Sequence, residues 1–329
     1  MIGFATRGPG GKALAVFLLL GGCLMIFAAG VGGKQINDKA GTTGFAFLKL
    51  GVGSKAVAMG GAYTGLADDP ATMYYNPAGT INVPGRQFLA AYHNYVMDIQ
   101  SGFVAATFPF MKTRKIGFFA DYLNFGDFTE TDQYGVPTGD FSGGDILLGA
   151  NISANVIPEL AAGVNVKFIS ETAAGYSSEA LAFDLGLFYR HKDSLTTAGL
   201  SVYNIGGVLS GFSEGSVGEH KDKLPMGVRA GLAHSLRELP LVAALDIVLP
   251  NDNDLYINAG LELYKFKPLY IRAGYSTFGE NYKTGSGSET FGGFSAGFGL
   301  DYKVYHISYA FMPYLDLGSS HRVTVSGGF

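Results

Sequence analysis

The chain has no tryptophan, a single cysteine and, beyond its first thirty residues, no long apolar run. Without tryptophan, any aromatic girdle at a membrane surface has to come from the 19 tyrosines and 25 phenylalanines. The lone cysteine, Cys23, sits inside an N-terminal stretch that reads as an export signal. A processed chain is then cysteine-free, which excludes disulfide, zinc-thiolate and cysteine-nucleophile chemistry. There is no basic excess: 23 Lys and Arg stand against 27 Asp and Glu, a net charge of -4, so no nucleic-acid footprint is expected. The six histidines (His93, His191, His220, His234, His306, His321) are scattered, with no H-E-x-x-H, and no metal site or cofactor is expected. The 49 glycines keep no collagen-like period; on strands, glycine marks bulges, bends or close packing. What the chain does have is 47% hydrophobic residues without hydrophobic runs. Alternating, lipid-facing strands produce that combination.

Residues 1–30 carry Arg7 and Lys12, an apolar stretch from Ala13 to Ala29, and small residues at Ala28-Ala29-Gly30. This is the layout of a secretory signal peptide. Leu20-Gly21-Gly22-Cys23 is a weak lipoprotein-like match, but the following L-M-I-F stays apolar where a lipidated chain turns polar. Cys23 is therefore expected to leave with the signal.

From Arg86 onward, alternating segments recur with turn signals between them. They fall at 86–94, 99–108, 115–127, 145–157, 160–171, 180–190, 194–205, 224–236, 240–249, 254–265, 268–277, 290–302, 303–312 and 320–329. About fourteen strands is an even number, as a bacterial barrel with both termini on one side requires. Short connections, such as Pro158-Glu159 and Phe266-Lys267, alternate with longer ones at 128–144, 172–179, 206–223 and 278–289. Leu181, Phe183, Leu185, Leu187 and Tyr189 share one face, while Ala182, Asp184 and Gly186 take the other. Charges stay out of the apolar phase, where a midplane Arg or Lys would cost roughly 2–4 kcal/mol against lipid. The opposite face is mostly Gly, Ala and Ser with single charges, which suits a filled lumen better than the water-facing side of a β-sandwich. The fold class expected is all-β: a transmembrane antiparallel barrel over 86–329, with a short helical plug over 31–85 in its lumen.

The plug expectation rests on residues 44–85, where small residues cluster between Gly53 and Ala67. Asp69-Pro70 and Asn76-Pro77 each place a capping side chain before a proline at a first helical position. A compact non-strand insert preceding a barrel has few places to sit except inside it. Gly53 to Gly79, GSKAVAMGGAYTGLADDPATMYYNPAG, resembles the N-terminal signature of FadL-type outer-membrane transporters and their PorV/PorQ relatives. Asp316 to Ser326, DLGSSHRVTVS, is similar to the ending of the PorV/PorQ branch. The resemblance implies a fourteen-stranded barrel in the outer membrane of a Gram-negative-type bacterium, with periplasmic termini. It assigns Met59, Gly60, Gly61, Ala62, Asp68, Asp69, Asn76, Pro77, Ala78 and Gly79 to the plug, or hatch. Lacking an extended hatch and long external loops, the compact chain leans toward the PorV/PorQ branch. The function so implied is non-enzymatic, a component of type IX-like protein secretion and surface attachment. The alternative is a FadL-like channel for small hydrophobic compounds such as long-chain fatty acids. Expected partners are outer-membrane lipid, the barrel-assembly machinery, and either secretion-system proteins or a small hydrophobic ligand. The terminal Phe329 resembles the recognition signal for barrel insertion.

Other motifs imitate chemistry without its context. Gly293-Phe294-Ser295-Ala296-Gly297 fits G-x-S-x-G, but a nucleophile elbow needs a strand-to-helix turn, and Ser295 lies within an alternating strand. Gly51-Val52-Gly53 followed by Asp68 imitates a dinucleotide fingerprint without the repeating strand–helix units of that fold. Asn251-Asp252-Asn253-Asp254 reads as a solvated acidic turn. Lys167, Asp184, Arg229, Asp246, Glu262, Arg272 and His306 all lie on the polar phase of their strands and are the expected polar network of the lumen.

Overall fold

The computed structural model describes residues 37–97, 99–214, 217–236, 239–283 and 291–329. The signal read over 1–30, with Cys23, lies outside them.

Fourteen strands close into one antiparallel barrel. They are β1 (Gln87–Asn94), β2 (Gln100–Phe110), β3 (Arg114–Thr131), β4 (Pro137–Ile157), β5 (Leu160–Ala173), β6 (Tyr176–Arg190) and β7 (Thr196–Ser210), then β10 (Gly227–Leu236), β11 (Leu241–Pro250), β12 (Tyr256–Phe266), β13 (Leu269–Ser276), β14 (Phe294–Tyr302), β15 (Tyr305–Pro313) and β16 (Ser319–Gly328). A small separate hairpin, β8 (Phe212–Glu214) with β9 (Val217–His220), stands on the connection from β7 to β10. Each barrel strand pairs with its neighbour in sequence, and β1 pairs with β16 from Gln87 opposite Gly328 to Asn94 opposite His321. Closure leaves no edge whose backbone groups would face lipid unpaired.

The period of two decides which side chains face out. On β6, Leu185 is 48% exposed and its neighbour Asp184 only 1%. The same alternation puts Val323 outside and Arg322 and Thr324 inside on β16. Phe88, Phe108, Tyr305 and the terminal Phe329 gather at one rim, with the Phe329 ring 5.7 Å from Phe108 and 6.3 Å from Phe88.

Two connections read as long loops are instead strand. β3 and β4 run on through the first of them, pairing Phe128 with Phe141, their rings stacked at 5.3 Å. Only residues 132–136 turn, around Asp132 Oδ1, which accepts from the N–H groups of Tyr134 and Val136 at 2.8 and 2.9 Å. Between β5 and β6 only Ala174 and Gly175 remain, both at positive φ (51° and 83°), as a two-residue hairpin requires. Outside lipid the alternation of side chains lapses, but backbone groups still need partners, and the neighbouring strand supplies them.

Residues 45–83 fill the lumen with short pieces: α1 (Ser54–Ala58), α2 (Thr72–Tyr75), and 3-10 turns at Ala46–Lys49 and Pro77–Asn82. The helix suggested by the small residues is cut to five residues because Gly60 and Gly61 adopt φ of 67° and 83°, outside the helical region. Phe45, Phe47, Leu48, Tyr63 and Met73 are buried together with the inward-facing Phe103, Phe119, Leu123 and Ile169. The apolar core therefore lies inside the barrel, between plug and wall.

This division sets a mutational contrast. Leu185→Arg, mid-strand on the lipid face, is expected to cost about 2–4 kcal/mol, whereas Tyr189→Arg near the rim costs about 1 or less. Denaturant titration of the protein in lipid vesicles measures both; equal costs would place the lipid band elsewhere.

Candidate functional site

Plug backbone and barrel backbone meet where the wall carries glycines facing each other across neighbouring strands. Three such pairs are in register: Gly163 with Gly186, Gly199 with Gly231, and Gly260 with Gly274. The Asn76–Ala78 segment lies over the first pair, Thr64 and Gly65 over the second, Met59 and Gly60 over the third. A Cβ added to Gly260 would stand 2.6 Å from the carbonyl oxygen of Met59, and one on Gly231 2.7 Å from the Gly65 nitrogen. Any side chain there would push the plug off the wall.

Polar side chains of the wall then satisfy the irregular plug backbone. Asp246 Oδ2 accepts from the N–H groups of Tyr63 and Thr64 at 3.0 and 2.9 Å. Asn165 donates to the Met73 carbonyl at 2.7 Å and Asn151 to that of Pro77 at 3.1 Å. Ser295 Oγ accepts from Gly60 N–H at 3.0 Å and donates to Ala58 O at 3.3 Å, so the G-x-S-x-G serine anchors the plug. Asn76 caps the Pro77–Asn82 turn, accepting from Ala78 N–H at 3.1 Å, and its amide donates to Thr64 O and to Leu187 O of the wall at 3.1 and 3.0 Å. Asp69 does not cap α2, which begins three residues later; it accepts from Ala71 N–H at 2.8 Å in the turn before it.

Met59, Ala62 and Ala78 are fully buried, and Pro77 and Gly79 are buried with them. Asp68 is exposed at its edge and takes Lys55 Nζ at 2.6 Å and the Tyr63 hydroxyl at 2.7 Å. Burial opposes the charge on Lys55, but Asp68 and Glu262, the latter at 3.4 Å, hold its ammonium above the ordinary lysine range. The turn at 251–254 is not wholly solvated: Asp252 is buried and accepts from Lys49 Nζ and Thr43 Oγ1, both at 2.6 Å.

The seven polar-phase residues face inward but divide into separate groups. Lys167 pairs with Asp184 at 2.6 Å, and both hold Asn204 of β7. Arg272 donates to Glu262 at 2.6 Å and Ser308 at 3.0 Å and contacts His306 at 3.1 Å. Asp246 serves plug amides, as above. Among the described residues Arg229 forms no ion pair with a carboxylate. Its Nη1 donates to Tyr74 O at 3.3 Å, and the guanidinium lies 4.2, 5.0 and 5.5 Å from the rings of Tyr203, Tyr74 and Tyr75.

Sequence reasoning missed Arg322, although it lies on the polar phase of β16 beside Val323. It is buried, donates from Nη1 to Gly51 O, and contacts His93 Nδ1 at 2.8 Å; its Nε has no partner among the described residues. A buried ion carries an effective penalty of several kcal/mol. Cation–π contacts contribute about 0.5–2 kcal/mol each. Both guanidiniums therefore keep capacity for an anion. They line a cavity of about 140 Å³ between plug and wall, together with Tyr74, Tyr75, Tyr203, Tyr256, Tyr282 and Tyr314.

The fold of the closed barrel is shared with solved hydrocarbon transporters. The chain superimposes on the toluene transporter TbuX of Ralstonia pickettii with a TM-score of 0.56 at 14% identity, covering 84% of this chain and 97% of that one. For the toluene transporter TodX of Pseudomonas putida the values are 0.56, 15%, 84% and 96%. For a FadL homologue of Pseudomonas aeruginosa they are 0.54, 10%, 84% and 97%. At these identities the likeness is one of fold. No family model matches the chain, and no curated protein does.

The glycine contacts predict a specific failure. Gly274→Val should cost about 1–3 kcal/mol through overpacking and displace Met59 and Gly60, with heat-modifiable barrel mobility retained. Gly207→Val, at a site with no atom within 4 Å, is the control. Uptake of a bulky antibiotic should rise for the first and not the second; equal permeability would mean the plug does not occlude the lumen.

Proposed function

We propose that the protein is a channel of the outer membrane, admitting small hydrophobic compounds through a lumen that its N-terminal plug occludes. The observation that carries this reading is the aromatic cavity between plug and wall. A barrel built only to dock protein partners has no need of a tyrosine-lined internal space. The fold shared with hydrocarbon transporters supports the same choice over the secretion-component reading that the sequence favoured. In addition, the D-L-G…H-R ending that suggested secretion has internal work: Arg322 holds Gly51 O, and Thr324 Oγ1 accepts from Ser54 N–H at 2.9 Å. The β3–β4 hairpin also extends the barrel wall where the sequence implied compact external loops.

In this proposal the barrel sits in the outer membrane of a Gram-negative-type bacterium, with both termini at the periplasmic side. Phe329, in the aromatic group at that rim, serves the assembly machinery as an insertion signal. The plug residues Met59–Ala62 and Asn76–Gly79 form the closed gate, held by Asp246, Ser295 and the facing glycines.

Deleting the gene should slow uptake of toluene and leave surface attachment of secreted proteins unchanged, measured side by side in one strain. Lost attachment with normal uptake would transfer the protein to the secretion role. If neither changes, the channel proposal fails as well.

A further inference from the structure

We infer that the cavity between plug and wall is a site for small single-ring aromatic carboxylates, an inference that rests on the channel reading and narrows it. Size comes first. The cavity holds about 140 Å³, and an enclosed space of about 150 Å³ is known to accept benzene. One ring with a short substituent fits within it; an extended acyl chain would have to run out of it.

Charge is the second observation. Lys49, Arg229, Arg322 and Asp252 are the charged residues lining the space. Asp252 is already bound by Lys49 at 2.6 Å. Two cations are left over. Arg229 and Arg322 are both more than nine-tenths buried, and among the described residues neither forms an ion pair with a carboxylate. Arg322 Nε has no hydrogen-bond partner there, and Arg229 meets the Tyr74 carbonyl and the tyrosine side chains around it rather than a carboxylate. A neutral hydrocarbon would leave these donors as they are. A carboxylate would take charge-assisted hydrogen bonds from them, the strongest form such bonds take. The surrounding tyrosine rings supply flat apolar faces for the ring.

The same guanidiniums hold the plug. Arg229 bonds Tyr74 O and Arg322 bonds Gly51 O, on two different plug turns. An arriving carboxylate competes with those carbonyls for the same donors. Binding therefore weakens two wall-to-plug contacts at once, coupling occupancy to release of the plug.

The test is a calorimetric titration of the purified protein in detergent with benzoate, benzyl alcohol and toluene, and with palmitate as competitor. Benzoate should bind at least about tenfold more tightly than benzyl alcohol, the gain expected of hydrogen bonds to a charged group. Palmitate should not displace it. Arg229→Gln and Arg322→Gln should each weaken benzoate about tenfold or more and bring its preference over benzyl alcohol toward unity. Where a variant does not assemble, the wild-type ligand series decides alone. Equal affinity for benzoate and benzyl alcohol would overturn the anion assignment while leaving the channel standing. Displacement by palmitate would overturn the single-ring limit. If none of benzoate, benzyl alcohol and toluene binds or permeates, the inference falls together with the channel reading.

Discussion

Backbone packed directly against backbone is the contact on which the rest of this molecule depends. A fourteen-stranded barrel encloses more space than its own inward side chains fill when many of them are Gly, Ala or Ser. Here the space is taken by residues 45–83, and the fit is set where Gly163–Gly186, Gly199–Gly231 and Gly260–Gly274 leave notches in the wall. Only glycine permits that approach, so these positions answer to the plug and not to the lipid.

An irregular segment brought so close must also find partners for its own N–H and C=O groups. An unsatisfied buried group costs about 1–3 kcal/mol. Asp246, Asn165, Asn151, Ser295, Thr324 and Asn76 meet that demand, each from a defined strand or turn. The arrangement is strong in aggregate and weak link by link, which suits a gate. Loss of a few bonds on one side can free one turn without disturbing the strand pairing that closes the barrel. Arg229 and Arg322 are the links most open to competition, because each holds a carbonyl with a cation that forms no ion pair among the described residues.

Much of the barrel was legible in the sequence because lipid imposes a period of two on every crossing segment. The run Leu181 to Tyr189 reads directly as a wall strand, and charges such as Asp184 and Arg272 declare the lumen side. What lies beyond the lipid was less legible. Residues 128–144 look like loop by composition, yet pair as strand because the neighbour was available. Within the lumen, the sequence marked Asn76 and the Gly60-Gly61 pair but not their partners, since contacts such as Asp246 to Thr64 join positions 182 residues apart. Arg322 carried a usable signal, an inward cation on the last strand. The tyrosine cavity did not, because its lining comes from the plug and several distant strands. The terminal motifs do not separate a channel from a secretion component, because they describe how the plug docks, which either role would require.

The most direct test of the account is hydrogen exchange at single-amide resolution on the folded barrel. The amides of Tyr63, Thr64 and Ala78 should exchange nearly as slowly as those of the central wall strands, and Gly274→Val should speed Tyr63 and Thr64 selectively. Fast exchange of these three amides in the unaltered protein, at the rate of the exposed Asp132–Val136 turn, would contradict it: the plug would then be a loose filling and not a clamped part of the fold.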